Sequence, residues 1–141
     1  MFESIVEATK NFCIHQIGSE AEIIDDTPPE GKTLVVRIDI QTQTDDKFRI
    51  YLASDRNFVQ NVAQIFLDEE KSDTETLHDM ALECINLIVG SAKVIASQKE
   101  LHFNIETPHL QEMERFDIEY SKSVTILCNN NKLFIAMQKI D

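Results

Sequence analysis

The sequence has no tryptophan and only three glycines and three prolines in 141 residues. Because glycine and proline mark most breaks in a folded chain, so few of them predict mostly regular secondary structure. Basic residues are also scarce: 13 Lys and Arg stand against 25 Asp and Glu, a net charge of −12. Binding to nucleic acid, or to an anionic membrane by charge, needs clustered cations, so we expect neither partner.

Signals for export, membrane insertion and disulfide formation are also missing. No apolar run approaches the roughly 20 residues that span a bilayer, and residues 1–7 carry acids where a secretory signal needs a basic start. The cysteines are odd in number, widely spaced and without a CxxC motif: Cys13, Cys84 and Cys128. We therefore predict reduced, buried thiols in a cytoplasmic protein, with Cys84 as a core residue rather than a nucleophile.

Motifs for metal or nucleotide binding do not occur. There is no glycine-rich phosphate loop, and the histidines lack zinc-finger or HExxH spacing; they are His15, His78, His102 and His109. We expect structural histidines, no metal site and no cofactor. What is present, 43% hydrophobic and 27% charged residues, is typical of one globular domain over residues 1–141.

Hydrophobic periodicity divides the first half of this domain into elements. Residues 2–14 have helical spacing and lead to Gly18, and residues 21–24 form a short strand. Strict alternation over 33–41 and 47–53 predicts an antiparallel hairpin with one buried face, in which Lys47, Arg49 and Tyr51 point outward.

Two helices and three strands follow. One helix begins after an N-cap at Ser54-Asp55, and the capping box Ser72–Glu75 begins a longer helix at about 73–98. Residues 101–105 alternate, a polar loop follows Pro108, and residues 124–137 form a second hairpin. Because strands and helices come in blocks, we predict an α+β fold with a largely antiparallel sheet covered by helices.

The long helix has an unusual outward face. At about 100° per residue from Asp79, Glu83 falls near +40°, Asn86 near −20° and Gly90 near +20°. Most apolar residues of the helix fall on the opposite side, while Leu82, Leu87 and Val89 are predicted to flank the polar stripe. A polar stripe bordered by apolar side chains is typical of a contact surface.

Two residues of the stripe are poor helix formers. A mid-helix glycine costs roughly 0.5–1 kcal/mol relative to alanine, so Gly90 serves either the close approach of a partner or the packing of a neighbouring loop. Asparagine competes for backbone hydrogen bonds within helices. Fourteen Glu and eight Asn produce about one Glu-x-x-Asn pair by chance, so the position of Glu83 and Asn86 is informative and the spacing alone is not.

This helix resembles the signature of the CheX/CheC/FliY chemotaxis phosphatases, in which an acidic or Ser position precedes Glu-x-x-Asn and then Gly-Asn. Here the pattern reads Asp79, Glu83, Asn86 and Gly90. A single copy in a short chain resembles CheX rather than the two-copy CheC pattern. Ser91 departs from the family, which usually has Asn there, and this weakens any role for a second amide.

The resemblance implies a phosphatase that hydrolyses the phosphoaspartate of a CheY-like response regulator and so terminates a chemotaxis signal. It implies that Asn86 holds the attacking water and that Glu83 pairs with the regulator's active-site lysine. Asp79 and Gly90 would lie in the partner interface. The Mg²⁺ of such a complex belongs to the regulator, so the resemblance implies no cofactor of the chain's own. It also implies a homodimer formed through sheet edges.

Two other classes of function remain open from the residues alone. A non-catalytic signalling module of the same fold would use the sheet edge or the acidic helix to bind its partner, and would tolerate alanine at Asn86. A small metal-dependent enzyme would instead carry stoichiometric bound metal. Loss of activity on changing Asn86 distinguishes the phosphatase from the binding module, and elemental analysis for bound metal distinguishes it from the metal-dependent enzyme.

Overall fold

A computed structural model describes residues 1–113 and 115–140. The helices are α1 (Phe2–Asn11), extended by a π-helical segment Phe12–Ile17, α2 (Arg56–Leu67) and α3 (Thr74–Ser97). The strands are β1 (Ala21–Asp25), β2 (Thr33–Thr42), β3 (Lys47–Ser54), β4 (Phe103–Ile105), β5 (His109–Met113), β6 (Lys122–Cys128) and β7 (Asn131–Lys139). The π-helical segment ends at Gly18, where φ is 77°, a left-handed conformation that glycine adopts without steric cost.

All seven strands join one antiparallel sheet in the order β1-β6-β7-β3-β2-β4, and β5 pairs with β2 beside β4. The main core forms where α1, α2 and α3 cover one face of this sheet. Alternate residues of β2, among them Leu34, Val36 and Ile38, supply the sheet side of that core. The predicted α+β fold with helices on an antiparallel sheet is confirmed.

The other face of the sheet carries a second, smaller core that the sequence did not predict. Tyr51 was expected to point to solvent, but it is only 6% exposed because Phe116 covers it, with ring centroids 6.1 Å apart. Phe116 also contacts Phe134 at 5.1 Å. The prediction of a hairpin with one buried face is therefore wrong at this end, since the segment that precedes β6 folds over the sheet.

Two local predictions also need correction. The polar loop expected after Pro108 contains β5, whose His109–Met113 register follows residues 33–37 of β2. The cap of α3 is Asp73, which accepts a hydrogen bond from the Thr76 amide at 2.8 Å, one residue later than predicted. The Ser72 hydroxyl donates instead to Glu69 at 2.8 Å. The predicted cap of α2 is confirmed, with Asp55 accepting from Phe58 N–H at 2.9 Å.

Helix α3 is the central helix of the fold. Among the described residues it is the one helix long and apolar enough, by length and composition, to cross a membrane. In this fold it packs along α1, α2 and β2. Its buried residues are Leu77, Ala81, Cys84, Ile85, Ile88, Val89, Ala92 and Ala96. The predicted end of the helix near Gln98 is confirmed.

Candidate functional site

The outward face of α3 carries the residues predicted for the site. The helix is continuous from Thr74 to Ser97, so Glu83 and Asn86 lie one turn apart, about 4.5 Å along the helix axis. Both side chains are exposed, as is that of Asp79, and Gly90 is partly exposed. The structure thus places all four residues on one accessible face of a single rigid element.

The opposite face of α3 fixes the orientation of this stripe. Cys84 and Ile85, the two residues between Glu83 and Asn86 in the sequence, are each 1% exposed within the core. Burial raises the pKa of the Cys84 thiol to about 12, and the adjacent Glu83 carboxylate raises it further. A thiol with this pKa is protonated at neutral pH, so Cys84 is the core residue that was predicted rather than a nucleophile.

The polar groups of the stripe have no partner within the part of the chain that the structure describes. Neither Glu83 nor Asn86 makes a side-chain hydrogen bond or an ion pair there, and the same holds for Asp79. A carboxylate and an amide free of internal bonds keep their full capacity to accept and donate hydrogen bonds. The stripe therefore presents unused polar groups to whatever contacts it.

Gly90 faces open space. A methyl group placed on this residue would meet no atom within 4 Å, leaving aside its chain neighbours and the adjacent helix backbone. The alternative that Gly90 accommodates a neighbouring loop of the same chain is therefore wrong for the described residues. No neighbouring atom of the described residues therefore requires glycine at this position.

The two flanks of the stripe differ from each other. Leu87, at about +80° from Asp79, is 39% exposed, and Leu82 on the other side is half-buried. Val89, at about −80°, is fully buried, so its predicted position beside the stripe is wrong. The physical reason is that the core covers more of one side of α3 than of the other. It covers the flank that holds Val89 and leaves the flank that holds Leu87 open to solvent.

A polar cluster near the first turns of α2 and α3 was missed by sequence reasoning. Glu112 of β5 lies 3.0 Å from His78 Nε2 and 3.6 Å from both Lys32 Nζ and Arg56 NH1. The hydrogen bond from His78 is the main cause that lowers the pKa of Glu112, with the nearby cations adding to it. Because residues 109–113 were predicted as loop, no signal placed Glu112 beside the helices.

The remaining cysteines are also structural. Cys13 and Cys128 are buried and free, as predicted, and a hydrogen bond between the two thiols, with burial, raises the pKa of Cys13. In the described part of the chain no group of three or more His, Cys, Asp or Glu residues is arranged to hold a metal ion.

Comparisons with known proteins bear on this site. The family model described as "Chemotaxis phosphatase CheX" matches residues 36–130, a stretch that includes the whole of α3. No curated protein matches the sequence.

Solved structures share the fold at low sequence identity. The CheX protein of Vibrio vulnificus has a TM-score of 0.81 at 17% identity, covering 98% of this chain and 95% of that one. CheX of Borrelia burgdorferi, in a CheX-CheY-BeF3-Mg²⁺ complex, has a TM-score of 0.71 at 17% identity, covering 99% and 97%. FliY of Thermotoga maritima has a TM-score of 0.63 at 13% identity, covering 97% and 85%. Since the family model spans more than half of its length, the chain belongs to the CheX family of chemotaxis phosphatases.

Proposed function

We propose that this protein hydrolyses the phosphoaspartate of a CheY-like response regulator by inserting Glu83 and Asn86 into the regulator's active site. The observation that carries the proposal is the pair itself, exposed, internally unpaired and held one turn apart on a continuous helix. The membership of a phosphatase family supports it, and so does the complex of the Borrelia relative with CheY.

Asn86 suits the water-orienting step. Phosphoryl transfer to water needs an in-line nucleophile and neutralisation of charge, with little covalent help. The oxygen of a neutral amide accepts a hydrogen bond from one O–H of the water, and the amide brings no negative charge towards the phosphoryl oxygens. Orientation of the water supplies roughly 3–5 kcal/mol, a rate factor of about 10²–10⁴. In this proposal the Mg²⁺ is bound by the regulator.

Glu83 suits the docking step. Its carboxylate pairs with the regulator's active-site lysine. This ion pair sets the position of α3 in the regulator's active site, so that the Asn86 amide contacts the attacking water. A charge pair made only in the complex contributes to affinity and to orientation. Asp79, one turn before Glu83, and Gly90, one turn after Asn86, complete the interface.

The decisive experiment is the decay of a phosphorylated regulator with Asn86→Ala. We expect acceleration by the parent protein and loss of about 10²-fold or more with the variant, while complex formation persists. Asn57→Ala is the matched control, because Asn57 is an exposed asparagine on another helix. A variant as fast as the parent would refute the assignment and favour the non-catalytic module.

We propose further that the protein is a cytoplasmic homodimer paired through a sheet edge. Unpaired strand edges favour such association, and the β1 edge exposes Ile23 and Ile24 at 48% and 39%. Light scattering tests this: twice the chain mass of 16.2 kDa supports the dimer, and the monomer mass rules it out.

A further inference from the structure

A cleft lies at one end of the sheet, beside the second core. Its volume is about 570 Å³, which is within the range of small-molecule sites. It is bounded by the segment 25–32, by the turn between β6 and β7, and by the start of α2. Ala53 and Phe134 of the second core give it an apolar floor. None of its described lining residues belongs to α3, so the cleft is separate from the Glu83 and Asn86 pair.

Buried hydroxyl groups are concentrated in this cleft. Five polar residues of the described chain are buried, and three of them line it: Thr33 at 7% exposed, Ser54 at 4% and Thr125 at 3%. Thr33 and Thr125 alternate with the core residues Leu34 and Ile126, so both face away from the helices. The three hydroxyls come from β2, β3 and β6. Only the tertiary fold brings them together.

Two of these hydroxyls lack a hydrogen-bond partner among the residues that the structure describes. The Thr125 hydroxyl donates to the Thr27 carbonyl oxygen at 3.1 Å. Thr33 Oγ1 is buried and unpaired, and the Ser54 hydroxyl makes no hydrogen bond either. A buried polar group without a partner costs free energy, and such groups are rare in folded proteins. A ligand that carries hydrogen-bond acceptors supplies the missing partner.

Charged groups of both signs surround the hydroxyls. Those that line the cleft are Asp25, Glu30, Asp55, Lys32 and Lys132. The carboxylates of Asp25 and Asp55 already accept hydrogen bonds from backbone N–H groups, at 3.0 and 2.9 Å. Glu30 and Lys132 are exposed, and within the described part of the chain neither forms an ion pair or a side-chain hydrogen bond. One acidic and one basic group are therefore available to a ligand.

We infer that the cleft binds a small zwitterion with one carboxylate and one ammonium group, the chemistry of a free amino acid. The ligand's carboxylate accepts hydrogen bonds from Thr33 and Ser54 and lies beside Lys132. Its ammonium group pairs with Glu30, and its apolar part contacts Phe134. A ligand without net charge suits the site, because a protein with a net charge of −12 repels anions.

Three probes test the two charges separately. L-alanine carries both groups, acetate carries the carboxylate alone, and methylammonium carries the ammonium group alone. L-alanine should produce saturable changes in the amide chemical shifts of Thr33, Ser54 and Lys132, with a Kd of roughly 0.1–10 mM, since so few atoms make contact. Acetate and methylammonium should bind about tenfold more weakly or worse. Shifts that do not saturate with L-alanine, or acetate that binds as tightly, overturn the inference.

Thr33→Val separates binding from folding. The substitution keeps the shape of the side chain and removes the unpaired hydroxyl. It should raise the melting temperature of the free protein by about 2 °C or more, yet weaken L-alanine binding about tenfold or more. The matched control is Thr9→Val, which alters a buried threonine whose hydroxyl donates to the Ile5 carbonyl oxygen at 2.8 Å. The control should bind L-alanine as the parent does and gain no stability. A Thr33→Val protein that binds like the parent contradicts the inference.

Variants of the exposed charges complete the test without disturbing the core. Glu30→Gln and Lys132→Met should each weaken L-alanine binding about threefold or more, whereas the exposed Lys71→Met should not. Unchanged binding in both cleft variants also overturns the inference. Because α3 does not line the cleft, all these variants should accelerate regulator decay as the parent does. Failure of the zwitterion site therefore leaves the proposed function standing, and failure of the proposed function leaves the zwitterion site standing.

Discussion

Replacing Gly90 by alanine should change stability and activity in opposite directions. In the isolated chain the new methyl group meets no atom within 4 Å, so the substitution adds helix propensity without a steric cost. The expected gain is roughly 0.5–1 kcal/mol in the free energy of unfolding. For a domain of this size that gain raises the melting temperature by roughly 2–5 °C.

The same methyl group should impair the complex. If a partner packs directly over Gly90, the added volume costs roughly 1–3 kcal/mol of the interaction, as overpacking does in a core. The value of kcat/KM for dephosphorylation should then fall by a factor of about 5 to about 160. Most of that loss should appear in KM, because the methyl group obstructs docking.

Thermal unfolding and regulator decay on the same preparations measure both effects. Asn61→Ala is the control, since it replaces a poor helix former on α2 and should add stability with no loss of activity. A Gly90→Ala protein that is less stable than the parent would contradict the open space around Gly90. A protein that is more stable and fully active would show that no partner approaches there.

Three further predictions concern charge and capping. Glu83→Gln should raise the KM of the decay assay about tenfold with a smaller effect on kcat, and an unchanged KM would rule out the proposed ion pair. Asp39 forms a bidentate ion pair with Arg49 at 2.7 and 3.0 Å, which lowers the pKa of that carboxyl. The stabilisation is therefore present above the ordinary pKa of Asp and is lost as the pH falls through the lowered pKa. In Asp39→Asn the free energy of unfolding, measured by urea titration, should consequently decrease less steeply as the pH is lowered. Asp73→Ala should cost about 1 kcal/mol, measured by urea unfolding, through loss of the α3 cap; an equal loss from Ser72→Ala would contradict the observed cap.

Much of the fold could be predicted because the signals are local. Short local patterns, the alternation in β2 and β3 and the turn between β6 and β7, predict two hairpins. The structure confirms both hairpins. The apolar side of α3 also follows from spacing alone, since 3.6 residues per turn place Cys84, Ile85 and Ile88 on one line.

The errors fall where distant segments meet. Residues 109–113 have no strong alternation, and they form β5 because the edge of β2 offers unpaired backbone groups. Tyr51 looked like a solvent-facing strand residue, and its burial depends on Phe116, 65 positions later in the chain. No local pattern contains that contact.

By itself the sequence determined the order of the elements other than β5, the acidic surface and the phase of α3. The side of the helix that carries Asp79, Glu83, Asn86 and Gly90 was therefore predictable. Only the tertiary structure decided which flank of that side stays open, with Val89 buried and Leu87 exposed. It also decided that Gly90 faces empty space. The physical reason is that helical phase is a property of backbone geometry, whereas exposure depends on which neighbours the rest of the chain brings to each side.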